Sequence, residues 1–391
     1  LRKYSTEKYP KDEIKKRSKV QKTQQAKNMN KKISFRILAI NPGSTSTKVS
    51  IFEDEKETFG ETISHSKLEL EPFRRVWDQY EFRKKLIKDL LERYEIRPET
   101  LSAVVGRGGL FRPVVSGTYL VNELMIEDGR NAFGGEHSSN LGAVLAFGLG
   151  WDYHIPAFIV DPPSVDEFDE CSRYSGLPEF PRKSLFHALN VKATARLAAR
   201  DLKKKLEEIN LIVAHLGGGI TVAALKKGRV IDANNALHTG PFTPERSGTL
   251  PMFDFAEWCF SGKVTLDQVK KRMVGGGGLV AYLGTNDAKE VEKRISQGDK
   301  EAESVYQAMI YQIACEIGSR AMALKGKVDA VVLTGGLANS QTVIEKLKEY
   351  VSFIAKVLVY PGQDEMKALA LGALRVLRGE EQAKTYPQAV K

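Results

Sequence analysis

Cysteine is scarce in this chain: 391 residues hold three, Cys171, Cys259 and Cys315, with no CxxC spacing. So odd and scattered a set excludes a disulfide framework or a thiolate zinc site and fits a reducing cytoplasm. Long apolar runs are missing as well, so no membrane span is expected. Excess basic charge is nearly confined to one segment. The net charge is +10, yet residues 1–32 alone hold twelve Lys or Arg against three Asp or Glu, leaving the rest close to neutral. No aromatic interleaving accompanies those cations, which argues against a nucleic-acid module.

The basic segment also lacks an apolar stretch of the secretory kind, and its Lys- and Gln-rich composition reads as a disordered arm over residues 1–32. Met29 is a second candidate start, which would leave residues 1–28 outside the native chain. With 42% hydrophobic and 28% charged residues the remainder is globular in composition, and its length suits two domains.

Phe35–Ile40 reads as a buried strand, Asn41–Thr47 (NPGSTST) as a polar turn and Lys48–Phe52 as a second strand, with a charged turn at Glu53–Glu57 leading to a third. A helix is expected over Phe73–Tyr94 and a strand over Ala103–Gly106, running into Arg107. Further helices are expected over Ser138–Trp151 and Ser184–Glu208, with a strand at Ala157–Val160 stopped by Asp161 and two prolines. The opening pattern then recurs: strand Leu211–Leu216, a glycine turn, strand Val222–Leu225, turn Lys226–Gly228, strand Arg229–Asp232. That repeat implies an α/β protein of two duplicated lobes about a cleft. The expected division is a first lobe over 33–189 and a second over 190–370, with a C-terminal helix over 371–391 packing back on the first. Helices are expected at Met252–Phe260, Leu266–Met273, Ala288–Ile295 and Glu301–Leu324. The strands Ala330–Leu333 and Lys356–Tyr360 and a helix over Asp364–Arg378 close the chain.

Gly43–Lys48 (GSTSTK) invites comparison with a P-loop. It lacks the glycine before the lysine and the hydroxyl residue after it, and a strand follows where a P-loop opens a helix. Its hydroxyls, amides and Lys48 still suit a phosphate cradle, although Asn-Pro-Gly is also ordinary turn chemistry. His215–Gly219 (HLGGG) occupies the equivalent point of the second lobe, where glycines let backbone amides approach a polyphosphate. Gly335-Gly336 after a strand is a third backbone platform. Singly these motifs are ordinary; the ordered set of three points to a nucleotide.

Two β-turn loops and a late Thr-Gly-Gly loop resemble the signature of the actin, sugar-kinase and heat-shock-chaperone superfamily, which implies ribonuclease-H-like lobes. The NPGSTSTK opening, HLGGG and Arg246-Ser247-Gly248 resemble the acetokinase family, over roughly residues 33–380. Within that family, Gly134–Ser138 (GGEHS) and the short loop Gly240–Arg246 (GPFTPER) are more similar to butyrate-phosphorylating than to acetate-phosphorylating members.

The resemblance implies transfer of a phosphoryl group between ATP and butyrate, giving butanoyl phosphate and ADP. Its nearest alternative is an acetate, propionate or branched-chain acid, and its alternative of another class is a nucleotide-gated binding protein. It implies that Asn41, Ser44, Ser46 and Lys48 lie near the transferring phosphoryl group. His215, Gly217, Gly218, Gly219, Asp287, Gly335, Gly336 and Asn339 would hold ATP or ADP, while Asn41, Asp364 and Glu365 would surround Mg²⁺. Arg107 and Arg246 would hold the carboxylate and screen the transferring charge, Asp161 would be the active-site aspartate, and His187 would stabilise the transition state. Each has a plainer reading: a surface ion pair for the arginines, a strand stop for Asp161, a core histidine for His187, and a helix cap for Asp364 and Glu365. Ala288 and Lys289 depart from the family pattern after Asp287. The implied partners are a small carboxylate or acyl phosphate and a second copy in a homodimer or an assembly of dimers, with neither nucleic acid nor membrane.

Overall fold

The structure is a computed structural model that describes residues 34–387, so the arm expected over residues 1–32 lies outside the described residues. From Arg36 onward the chain is one compact unit. It opens with an antiparallel meander: β1 (Arg36–Pro42), β2 (Ser46–Glu53) and β3 (Lys56–Ser64). Two strands then continue parallel on the far side of β1, β4 (Ala103–Arg107) and β6 (Ala157–Val160), with β5 (Thr118–Leu120) antiparallel beyond them. The second sheet repeats this plan. β7 (Asn210–Leu216), β8 (Ile220–Lys226) and β9 (Arg229–Ala233) form its meander, and β10 (Ala330–Gly335) and β11 (Val357–Pro361) add in parallel. The order β6-β4-β1-β2-β3 in one sheet thus matches β11-β10-β7-β8-β9 in the other.

The repeat extends to an irregularity. Register shifts after Ile51 in β2 and after Ala224 in β8. Thr47 and Ile220 are the residues that close the respective turns, so each bulge lies four residues past its turn. A bulge sharpens local twist, so both meanders curl at the same point.

Alternation along β7 sends Leu211 and Val213 into one apolar core and Ile212, Ala214 and Leu216 into another. The first core is continuous with the first lobe through α5 (Ala188–Asp201). The second is capped by α10 (Lys300–Ala323) and α11 (Gln341–Val351). The remaining helices, in chain order, are α1 (Lys67–Leu70), α2 (Tyr80–Arg93), α3 (Glu123–Arg130), α4 (Asn140–Tyr153), α6 (Met252–Phe260), α7 (Leu266–Met273), α8 (Gly278–Leu283), α9 (Ala288–Ser296) and α12 (Glu365–Leu377).

Several expected helices differ in extent, α4 among them, which is shifted by two residues from Ser138–Trp151 to Asn140–Tyr153. α2 begins at Tyr80 rather than Phe73, because a 3-10 turn occupies Val76–Gln79. α5 begins only after His187 and ends at Asp201, where Lys203 takes φ +55. α12 packs across β1, β4 and β6 and ends at Leu377; Gly379, at φ +76, turns the chain. Residues 378–387 are therefore not helical, and Lys384–Thr385 forms β12, parallel to β5. No helix among the described residues is long and apolar enough to cross a membrane.

Candidate active site

The carboxyl ends of the central strands carry the polar residues, the usual place for a ligand in an α/β sheet. Asn41 is half-buried, one residue before the end of β1, and its Nδ2 donates to Glu365 Oε2 at 2.6 Å. Arg107 ends β4 and pairs through Nη1 with Glu365 Oε1. Glu365 opens α12, whose cap is Asp364: Asp364 Oδ1 accepts from Lys367 N at 2.9 Å. Burial pushes the Glu365 carboxyl up, but Arg107, the hydrogen bond from Asn41 and His215 reverse this and hold it below the usual range.

The second turn is joined to this group through histidines. His215, at the end of β7, is buried, and its ring stacks on His187 with centroids 4.2 Å apart. Its Nδ1 donates to Asn190 Oδ1 at 2.8 Å, while His187 Nδ1 is hydrogen-bonded to Thr221 Oγ1 at 2.8 Å. Burial pulls His215 down to about 4, with Arg107 and Arg246 pushing the same way against Glu365. It also pulls His187 well below its ordinary value, helped by His215, Arg246 and Arg107. His137, in the GGEHS loop, is lowered by burial and by the same two arginines. Arg107 and Arg246 thus act together on all three imidazoles, which are neutral at pH 7.

Arg246 lies against the glycine turn. A Cβ on Gly219 would stand 2.3 Å from Arg246 Nη1, so only glycine leaves room for the guanidinium there. Arg246 Nη1 also donates to Ala236 O at 2.6 Å. Thr243 Oγ1 donates to Gly218 O at 2.5 Å and accepts from Arg246 N, so one hydroxyl ties turn and loop together. Gly217 and Gly218 lie partly open beside it. Burial lowers the Arg246 pKa and Glu245 opposes that shift, but an arginine stays charged at neutral pH.

The late loop closes the same side. Gly335, at φ +94, passes so near β7 that a Cβ would lie 2.4 Å from Leu216 O. It exchanges backbone bonds of 2.9 Å with Gly362, just before Asp364. Gly336–Asn339 forms a 3-10 turn in which Asn339 Nδ2 donates to Gly336 O at 2.9 Å. Asp287 caps α9 by accepting from Lys289 N at 2.9 Å. Its neighbour Asn286 reaches Glu245 Oε2 at 3.4 Å, and Glu245 borders Gly218.

The structure thus brings Asn41, Arg107, Glu365, His187, His215 and Arg246 to one centre. Ser44 and Lys48 are exposed on the first turn and Ser46 is half-buried there. Asp161 stands differently. It is fully buried with φ +38, a strained geometry for a side-chain-bearing residue. Its Oδ1 accepts from Ser116 Oγ at 2.6 Å and Gly117 N at 2.8 Å, and its Oδ2 pairs with Arg196 Nη1 at 3.3 Å. Burial pushes its carboxyl up, and Arg196, Lys192, Ser116 and Arg375 outweigh that and keep it ionised. Its bonds run to α5 and to the loop before β5, with none to Arg107.

Sequence reasoning passed over Thr243, Thr221, Asn190 and Arg83. Arg83 shares the buried face of α2 with Ile87, Leu90 and Leu91. A cation in an apolar stripe was the available signal.

Among the described residues no group of three or more His, Cys, Asp or Glu could hold a metal. The donors present, Glu365, Asp364 and the Asn41 amide, still fit Mg²⁺, which keeps its waters and takes one or two carboxylates plus phosphate oxygens.

The architecture is that of the two-lobed α/β fold shared by actin, heat-shock chaperones and acetate kinases. A sequence model of the acetokinase family matches residues 180–358, most of the second lobe. Among solved structures, acetate kinase of Porphyromonas gingivalis is 19% identical, with a TM-score of 0.74 over 88% of this chain and 100% of that one. A propionate kinase of Francisella tularensis subsp. tularensis is 18% identical, with a TM-score of 0.69 over 86% of this chain and 98% of that one. Acetate kinase of Entamoeba histolytica is 15% identical, with a TM-score of 0.67 over the same shares, 86% and 98%.

Proposed function

We propose that the protein moves a phosphoryl group between ATP and a short-chain carboxylate, the second lobe serving the nucleotide and the first the acid. The observation that carries this reading is the joint action of Arg107 and Arg246 on three neutral histidines, beside a glycine turn built to admit one of those guanidinium groups. A carboxylic acid with a pKa of about 4 is already ionised at neutral pH, so no base is needed. The obstacle is repulsion between two anions, and fixed cations with neutral hydrogen-bond donors answer it.

In the proposed reaction a carboxylate oxygen bonds to the γ-phosphorus as the bond to the β–γ bridging oxygen breaks. ADP leaves from the opposite face. Arg107 and Arg246 orient the acid and neutralise charge on the phosphoryl oxygens. His187, held neutral, donates a hydrogen bond without adding or removing a proton. Asp161 fixes Arg196 and the loop that leads into β5, the neighbour of β6. Mg²⁺ would be held through Glu365, Asp364 and Asn41, and when bound it neutralises phosphate charge.

Acid size is a finer question. The solved relatives are acetate and propionate kinases by name, which supports a small acid. The GGEHS and GPFTPER segments support butyrate as the finer reading. One methylene is worth only about 1–3 kcal/mol in an apolar pocket, so activity should grade along the series. The three free thiols support a cytoplasmic setting. A homodimer is supported by α6, which buries none of its residues while exposing Phe253 at 87% and Phe260 at 92%.

Trapping the product with hydroxylamine tests the reading. Acyl hydroxamate should form only with ATP and Mg²⁺, for at least one acid between acetate and valerate. No hydroxamate from any of them overturns it, and the order of kcat/KM along the series selects the acid.

A further inference from the structure

Beneath the first turn lies a cation that the proposed reaction does not use. Arg83 projects from α2 and is 1% exposed. Its Nη1 donates to Gly43 O at 2.8 Å, Ser46 O at 3.0 Å and Thr47 Oγ1 at 3.0 Å. Its Nη2 donates to Ser44 O at 3.2 Å and Gln79 Oε1 at 2.8 Å, and its Nε donates to Gln79 Oε1 at 3.0 Å. Each of these acceptors is neutral, and among the described residues Arg83 forms no ion pair. Burial pulls it down to about 10, so it stays charged at neutral pH. Thr47 Oγ1 in turn meets His65 Nε2 at 2.8 Å, and Arg83 helps burial to keep that imidazole neutral.

We infer that Arg83 is a positioning residue that gathers carbonyls of the first turn on one side and leaves the amides of Ser44 and Thr45 facing an anion in the cleft. The carbonyls of Gly43 and Ser44, converging on one guanidinium, fix the peptide planes that carry the N–H groups of Ser44 and Thr45, and a peptide whose oxygen points inward turns its N–H outward. The unpaired charge adds to this. A cation with no carboxylate beside it leaves its field unspent, and that field acts on whatever anion the turn faces. The inference rests on the proposed function only for the identity of that anion, the transferring phosphoryl group. Amides preset toward developing charge act on the transition state, so the loss of Arg83 shows in kcat more than in KM.

The test compares Arg83→Gln and Arg83→Lys with wild type in two measurements, hydroxamate kinetics and backbone amide exchange. In Arg83→Gln, exchange at residues 43–47 should rise about tenfold above that of β1 and β4. Its kcat should fall about 100-fold, with KM for the acid within about threefold. Arg83→Lys keeps the charge but not the planar fork, so its kcat should recover only to about tenfold below wild type. Should Arg83→Gln fail to fold, Gln79→Leu takes its place: it unseats one edge of the guanidinium and should cost about tenfold in kcat. A uniform rise in exchange across the first sheet, or kcat within about threefold of wild type in the folded variants, would overturn the inference. Wild type that yields no hydroxamate removes the proposed reaction instead, and the exchange pattern at 43–47 still decides the role of Arg83.

Discussion

The two lobes share strand order, turn position and bulge, yet they hold their turns by opposite means. The first turn is hydroxyl-rich and gripped from below by a buried cation on a helix. The second is glycine-rich and gripped from beside, by the Thr243 hydroxyl and by Arg246 lying where a side chain would otherwise project. Duplication supplied the frame, and the chemistry at each tip came from whatever element packed there. The cation of the first turn is sealed from solvent, whereas the cation of the second is only half-buried, and in the proposed reaction it is the one that meets the substrate.

That contrast is sharpest at the arginines. Arg246→Ala should lower kcat about 10²–10³-fold with the fold retained, as steady-state kinetics beside circular dichroism would show, and activity within threefold of wild type removes its assigned role. Glycine substitutions separate the turns next. Gly219→Ala drives a methyl into the guanidinium and should cost about 10–100-fold in kcat. Gly43→Ala meets only Ser46, its hydroxyl at 3.3 Å and its carbonyl at 3.5 Å, and should stay within about threefold. Equal losses at the two glycines would erase the distinction.

Protonation gives a smaller separation. His215 falls to about 4 from its ordinary 6.5 because burial favours the neutral ring. The unfolded chain therefore binds more protons between those values. The stability this ring contributes is present above about 6.5 and is lost as pH drops toward 4. Urea unfolding at pH 7 and pH 5 should show wild type losing roughly 2 kcal/mol more than His215→Gln. An identical loss in both would mean the ring is not held neutral.

The last contrast concerns helices. In the first lobe α4 is apolar and buried along most of its length, whereas in the second lobe α6 is apolar and buried nowhere. Phe253→Asp with Phe260→Asp should halve the mass seen by light scattering and leave kcat within about twofold, since neither residue touches the site. An unchanged mass would take α6 out of any interface between copies.

Much of this arrangement was readable from the chain alone. Both turns stand where Asn-Pro-Gly and Gly-Gly-Gly interrupt apolar alternation, and α6 and α7 occupy the expected residues. β5 was not readable: three residues carry no period, and they pair only because Asp161 folds the preceding loop against β6. α11 was different, since its Ser340 cap and the spacing of Val343, Ile344, Leu347 and Val351 are plain signals that the reading passed over. The tie between Asn41 and Glu365 joins residues 324 apart, and no local pattern announces such a bond.

The mutual backbone bonds of Gly335 and Gly362 have a mechanical consequence. β10 ends at the first glycine and α12 starts just beyond the second, so the end of an inner strand of one lobe is laced to the helix whose first residue grips Arg107 in the other. A load placed on the tip of β10 is handed through three short steps to the far wall. The two walls therefore share one tendon, and neither shifts without pulling on its neighbour.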